Sequence, residues 1–504
     1  MEPDRPLVPS RRRFLSAALV GLSQKSGRAV TGSFVLESHE AGHRLRDRAF
    51  AAMPAREQRV PLVIVGGGIA GLCAAWRLRR RGFRDFVVLE MEDRAGGNAR
   101  WGENEISQYP WAAHYVPVPG PGPSLARELF EELGLFEDGE PSERHLCFSP
   151  QERLFLQGRW QEGLEPAGTP KDIDQYKRFS DRMADFRANG AFRIPAGDSL
   201  RLGELDRLSM RDWLLREGFD SSYLQWYCDY SCRDDYGCSS ADASAWAGIH
   251  YFAAREDHDP GPFTWPEGNG WLVKRLLERV GTHVRTGATV CQAAREKNRW
   301  RIVTKEIAYV SDAVIFAAPT FLAPFLIEDM PAPQAFEYSP WVTANLTLDR
   351  LPRERGVPLA WDNVIFNSPS LGYVVATHQS LASRIERSVW TYYWALADGE
   401  PAARRRDLLA SGWNRWKEAI LDDLTRAHPD IRECVSRIDI LRLGHAMIRP
   451  SVGFLTSQAR RKFTAYEADN FWFANSDLSG ISIFEEAQYR GVTAADRALA
   501  RISK

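Results

Sequence analysis

LVIVGGGIAGLCAAWRLRRRGFRDFVVLEMEDRAGGNAR, residues 62–100, decides the fold. Leu62–Val65 is a short apolar run that ends in glycines and reads as a buried strand. Gly66, Gly68 and Gly71 spell G-x-G-x-x-G, and Leu72, Ala75 and Leu78 recur on one face of the helix they open. A second apolar run, Phe86–Leu89, ends in Glu90. The first glycine permits a tight turn, the second lets the backbone approach a pyrophosphate, and the third lets helix pack close on strand. Ile69 and Ala70 begin the helix, whose free N–H groups face the anion. Glu90, 22 residues after Gly68, stands where an acid accepts from the adenosine ribose hydroxyls.

Asp93-Arg94-Ala95-Gly96-Gly97 follows at once and resembles the R-x-G-G extension of the FAD-dependent amine oxidase superfamily. Relatives carry arginine after the glycines; here Asn98 stands there, with Arg100 two positions on. The resemblance implies noncovalent FAD along Arg94, Gly96, Gly97, Asn98 and Arg100, with His114 in a segment whose backbone nears the flavin. Pro266–Val273 resembles the family's glycine-led helix, and Val290 matches the valine behind the adenine. Asn470–Asp477 resembles the closing strand, whose terminal acid, Asp477, contacts the ribityl chain and pyrophosphate. The helix after Gly480, begun near Ile483, points its positive end at the flavin pyrimidine. The fold implied is α/β: a Rossmann-like FAD-binding domain of the glutathione-reductase type, into which an α+β substrate domain is inserted.

Length and charge bound the rest. At 504 residues the chain holds two or three cores. A net charge of −1 gives no field drawing it to nucleic acid or an anionic membrane. No apolar stretch reaches the roughly 18 residues of a membrane span. Ser10-Arg11-Arg12-Arg13-Phe14-Leu15 matches the twin-arginine signal that exports proteins already folded. It predicts a bacterial, periplasmic or otherwise exported protein that folds first in the cytoplasm and engages the twin-arginine machinery. The seven cysteines form no C-x-x-C and read mainly as packing residues, although a pair among Cys228, Cys232 and Cys238 is close enough to bridge. His39 and His43 are spaced i, i+4 without a third ligand nearby, so no metal site is expected.

The predicted organisation is a signal over 1–30, a surface arm over 31–59, a discontinuous FAD domain (60–150, 262–320 and 440–504) and a substrate domain (151–261 and 321–439). Helices are expected at Leu125–Leu133, stopped by Gly134, and around Ile173–Phe186 and Met210–Leu215. Strands are expected at His283–Val290, Trp300–Thr304, Ala344–Leu348, Gly372–Ala376 and Val389–Leu396, with Trp390, Tyr392, Tyr393 and Trp394 on both faces of the last. The aromatic stretch Tyr223–Asp257 supplies candidate substrate-binding residues Asp234, Asp235 and Tyr236, acids to attract a cation and rings to wall it. The same segment also fits a helical core with solvated acids. His445 and Arg449, just before the closing motif, and Tyr393 are candidate catalytic residues. The lysine that relatives place near flavin N5 has no match here; Lys462 lies outside any motif.

The resemblance implies an FAD-dependent oxidoreductase that oxidises a small-molecule amine, polyamines included, by hydride transfer to flavin N5, with oxygen or an electron carrier as acceptor. The alternatives are a desaturase or isomerase of a lipid-like substrate, and a non-catalytic flavoprotein that serves as a binding partner.

Overall fold

The computed structural model describes residues 29–50, 54, 56–120, 122–165, 168–198, 200–255 and 260–502; the twin-arginine motif lies outside them. At its centre is a five-stranded parallel sheet in the order Val284–Arg285, Phe86–Leu89, Leu62–Val65, Ala313–Phe316, Phe471–Phe473. The strands Leu62–Val65, Phe86–Leu89 and Ala313–Phe316 are buried at every position, as expected for a sheet covered on both sides. Leu62 and Ile64 face the helices Ile69–Arg80, Gly270–Val280 and Phe484–Ile502. Val63 and Val65 face a second, four-stranded sheet through Val290, Trp300 and Ile302. The closing helix crosses Ile69–Arg80 so closely that a Cβ on Gly491 would lie 2.1 Å from the Ala70 carbonyl oxygen.

The predicted strand His283–Val290 is two strands. A 3-10 turn, Gly281–His283, leads to Val284–Arg285 in the parallel sheet. Gly287, with φ +64°, then turns the chain into Val290–Glu296 of the four-stranded sheet.

The second unit is a seven-stranded sheet centred on Tyr338–Leu348, buried along its whole length between Ser388–Ala395 and Val435–Ile448. Trp390, Tyr392 and Trp394 pack with Trp416 under the helix Trp413–Thr425, while Tyr393 faces Trp226 and Tyr230 of the helix Ser222–Tyr236. The helices Pro170–Ala188 and Met210–Arg216 enclose the expected segments, and Leu125–Leu133 ends at Gly134 in the left-handed conformation.

The expected surface arm is divided between the two units: Thr31 and Phe34 bridge to Arg437 and Ile440 at the edge of the seven-stranded sheet, while the helix His39–Arg46 buries Leu45 against the nucleotide domain. All seven cysteines are free, and among the described residues no helix is long and apolar enough to cross a membrane.

Candidate active site

Two cavities meet where the units join. The first, about 310 Å3, runs over the carboxyl ends of the parallel strands and is lined by Gly66, Gly68, Ile69, Ala70, Glu90 and Val290 at one end. The glycines divide the work. A Cβ on Gly71 would stand 1.9 Å from the Gly66 carbonyl oxygen, so Gly71 serves helix–strand packing and does not line the cavity. A Cβ on Gly68 would meet nothing nearer than Gly97 Cα at 3.9 Å: that side is open to the cavity.

Glu90 is fixed before any ligand arrives. It accepts the Gly67 N–H at 2.7 Å and the Glu92 N–H at 2.9 Å, while burial raises its pKa against those bonds. Gly96 donates to the Gly67 carbonyl, tying the second glycine pair to the first turn. Arg100 lines the cavity, donates to the Gly97 carbonyl at 3.0 Å and holds a buried Nη1 that makes no hydrogen bond and lies 3.6 Å from the Glu92 carboxylate. Asp477 accepts from the Thr320 N–H, the Thr320 hydroxyl and the Tyr338 hydroxyl, each at 2.7 Å. It too lines this cavity, with a pKa raised by burial.

The second cavity, about 150 Å3, adjoins the first. Asn98, Ala113, Asn269, Ala446, Ile483 and Phe484 line both. Asn98 Nδ2 donates to the Ala446 carbonyl at 2.8 Å, so it spans the junction. Its aromatic wall is His114 stacked on Tyr393 at 4.7 Å, with Tyr115, Tyr251 and Trp341. The His114 Nδ1–H donates to the Ala112 carbonyl, and burial lowers the ring's pKa to about 4, so the imidazole is neutral. The Tyr393 hydroxyl and Trp341 Nε1 are buried without hydrogen-bond partners.

Three carboxylates and one guanidinium line this cavity: Asp234, Asp235, Glu485 and Arg255. Arg255 pairs with Asp235 at 3.1 Å, reaches the Tyr115 hydroxyl at 3.4 Å and lies over the Tyr251 ring. Asp234 and Glu485 have no comparable cation, and burial is the main reason each is pushed up to about 7. Glu485 is 5% exposed, and its Oε2 has no partner. A site ringed by aromatics and lined by more carboxylates than cations is suited to a small organic cation.

Four predicted site residues lie elsewhere. Arg94 is exposed and lines neither cavity, whereas Arg100, also expected along the cofactor, is brought in by the left-handed turn at Gly96 and Gly97. The Tyr236 hydroxyl donates to the Ala247 carbonyl, which anchors its ring between helices of the substrate unit. Arg449, past the end of its strand, turns away to Asp242 at 2.8 Å. His445 stacks on Phe321 in the dinucleotide cavity and does not line the aromatic one. His114, expected beside the cofactor, lines the aromatic cavity, while its neighbour Ala113 lines both. Among the described residues no lysine lines either cavity. Arg255 and Glu485 were not singled out in the sequence, although a carboxylate one residue into the closing helix was there to be noticed.

The NAD(P)-binding Rossmann-like domain family matches residues 64–133. An L-amino acid dehydrogenase of Synechocystis sp. is 22% identical over 294 residues, 56% of this chain and 60% of that protein. The chain thus matches only three-fifths of that relative's length. A putrescine oxidase solved with putrescine bound superposes with a TM-score of 0.68 at 17% identity, over 88% of this chain and 100% of the other. Cyclohexylamine oxidase from Brevibacterium oxydans gives 0.64 at 13% identity, over the same shares. The fold is therefore that of these oxidoreductases, a Rossmann-like nucleotide-binding domain joined to a second domain that covers its cleft.

Proposed function

We propose that the chain is an FAD-dependent oxidoreductase of a small-molecule amine, with polyamines among its candidate substrates. The observation that carries this reading is the junction: an aromatic cavity bearing unpaired carboxylates shares a wall with the dinucleotide cavity. The cradle fits FAD. The open side of Gly68 leaves room for a pyrophosphate, Glu90 is preset for a ribose, and Arg100, whose Nη1 makes no hydrogen bond and meets only Glu92 at 3.6 Å, can still donate to an acceptor there. Noncovalent attachment is part of this reading, with no thiol among the residues lining either cavity.

FAD held by Gly68, Glu90, Arg100 and Asp477 would supply the hydride acceptor for oxidation of the amine at its α-carbon. The chain's own residues do the rest. Tyr393, His114 and Trp341 orient the substrate and exclude water. Neutral His114 adds no positive charge to repel the amine, and the carboxylates hold its ammonium form as it enters. Oxygen or an electron carrier would serve as the electron acceptor. The twin-arginine motif supports export of the folded protein to a bacterial periplasm.

Denaturing the purified protein and identifying the released nucleotide tests the cofactor. FAD is expected; NAD(P), or no nucleotide after incubation with FAD, contradicts the proposal. Ammonia release from a panel of mono-, di- and polyamines tests the reaction, and no release from any of them contradicts it.

A further inference from the structure

The substrate cavity holds two carboxyl groups that the fold leaves without a cation, and they come from distant parts of the chain. Asp234 sits near the end of the helix Ser222–Tyr236; Glu485 is the second residue of the closing helix Phe484–Ile502. Both line the same cavity. Asp235, beside them, is already held by Arg255. Burying a carboxylate without a partner is costly unless it stays protonated or meets a cation. Glu485 Oε2 has no hydrogen-bond partner among the described residues.

We propose that Asp234 and Glu485 together receive the substrate's ammonium group and take the proton it must lose before oxidation. The inference rests on the amine reading above and names the groups that carry it. In the step, an N–H bond of the bound ammonium breaks and an O–H bond forms on one carboxylate, with the electron pair left on nitrogen. The resulting neutral amine can then give up hydride from its α-carbon.

The surrounding charges set how many protons the pair holds. Asp234 faces Asp235 and Glu152, which raise its pKa, and Arg255 and Arg233, which lower it. Asp362 lies close enough to feel Asp234. Glu485 faces Arg255, which lowers its pKa, and Glu486 and Asp235, which raise it. Burial outweighs the rest for both, so near neutral pH the pair is only partly ionised in the empty cavity and fully ionised against a cation. Cation binding therefore expels a proton.

The test uses the flavin-loaded enzyme and tert-butylamine, which carries an ammonium but no α-hydrogen and cannot be oxidised. Calorimetric titration near pH 6.5 in buffers of different ionisation enthalpy counts the protons released per amine bound. Release of up to about one proton is expected from the wild type. In Glu485→Gln and Asp234→Asn, on separate helices, release should fall clearly, with affinity lowered about tenfold or more, and the double variant should release none. Flavin content verifies that each variant is folded, and Glu485→Asp should restore part of the release. If oxidisable amines reduce the flavin while proton release is absent in the wild type, or unchanged in both variants, the inference is wrong and the amine reading stands. If no amine binds or reduces the wild-type flavin, both fall.

Discussion

The dinucleotide cradle and the substrate cavity are neighbours built on opposite principles. The cradle is backbone chemistry: glycines without side chains, N–H groups at a helix start, and Glu90 held by two main-chain donors. Its parts come from one continuous stretch, residues 62–100, closed by short strands from later in the chain. The cavity is side-chain chemistry assembled from the loop at 112–117, two helices of the substrate unit, Tyr393 on an antiparallel strand and the closing helix. The contrast teaches where tolerance lies. A cradle made of close backbone approaches cannot accept a methyl group where the chain touches itself, whereas the cavity accepts isosteric changes structurally and loses only chemistry.

The largest expected effects separate two glycines within the cradle. Gly71→Ala drives a Cβ into the Gly66 carbonyl and should cost about 3 kcal/mol or more, seen as a large fall in Tm or loss of soluble protein. Gly68→Ala puts its Cβ into open space at a normal φ of −73°, so apoprotein Tm should stay within the equivalent of about 0.5 kcal/mol while flavin content collapses. Equal behaviour of the two would break the distinction between packing and ligand-facing glycines.

Smaller effects sharpen the cavity's side of the comparison. Asp234 and Glu485 have folded-state pKa values above their ordinary ones, so the stability they allow at low pH is lost as pH rises through about 7. Asp234→Asn and Glu485→Gln should therefore stabilise the amine-free protein at pH 8 by about 1–3 kcal/mol each, and change little at pH 4. Denaturant melts at the two pH values measure this. Arg449→Gln loses one ion pair to a half-exposed partner and should cost about 1 kcal/mol of stability, with KM for any substrate unchanged. Arg94→Ala, at an exposed site, should leave both Tm and flavin content unaltered.

What was legible in the sequence follows the same division. Leu62–Val65, Phe86–Leu89 and Leu125–Leu133 have the expected bounds because local periodicity and stop residues set them. The alternation of Trp390, Tyr392 and Trp394 against Tyr393 was readable, since successive side chains on a strand point to opposite faces. Which face would meet the cavity was not. Of the two arginines expected along the cofactor, Arg100 lines the cavity and Arg94 does not, because left-handed glycines at 96 and 97 redirect the loop and side-chain direction there follows no period. His283–Val290 reads as one strand, yet Gly287 hands the chain from one sheet to another. Glu485 and Arg255 joined Asp234 and Asp235 only through tertiary folding, and no spacing rule relates those helices and the segment at 255.

The most direct test of the central claim is anaerobic. Amines are added one at a time to the flavin-loaded protein, and absorbance is followed near the flavin band at about 450 nm. Bleaching by at least one amine, slowed strongly in Glu485→Gln and Asp234→Asn although dithionite still bleaches both, is the predicted result. A wild-type flavin that dithionite bleaches and no mono-, di- or polyamine does would contradict the reading of this cavity as an amine site.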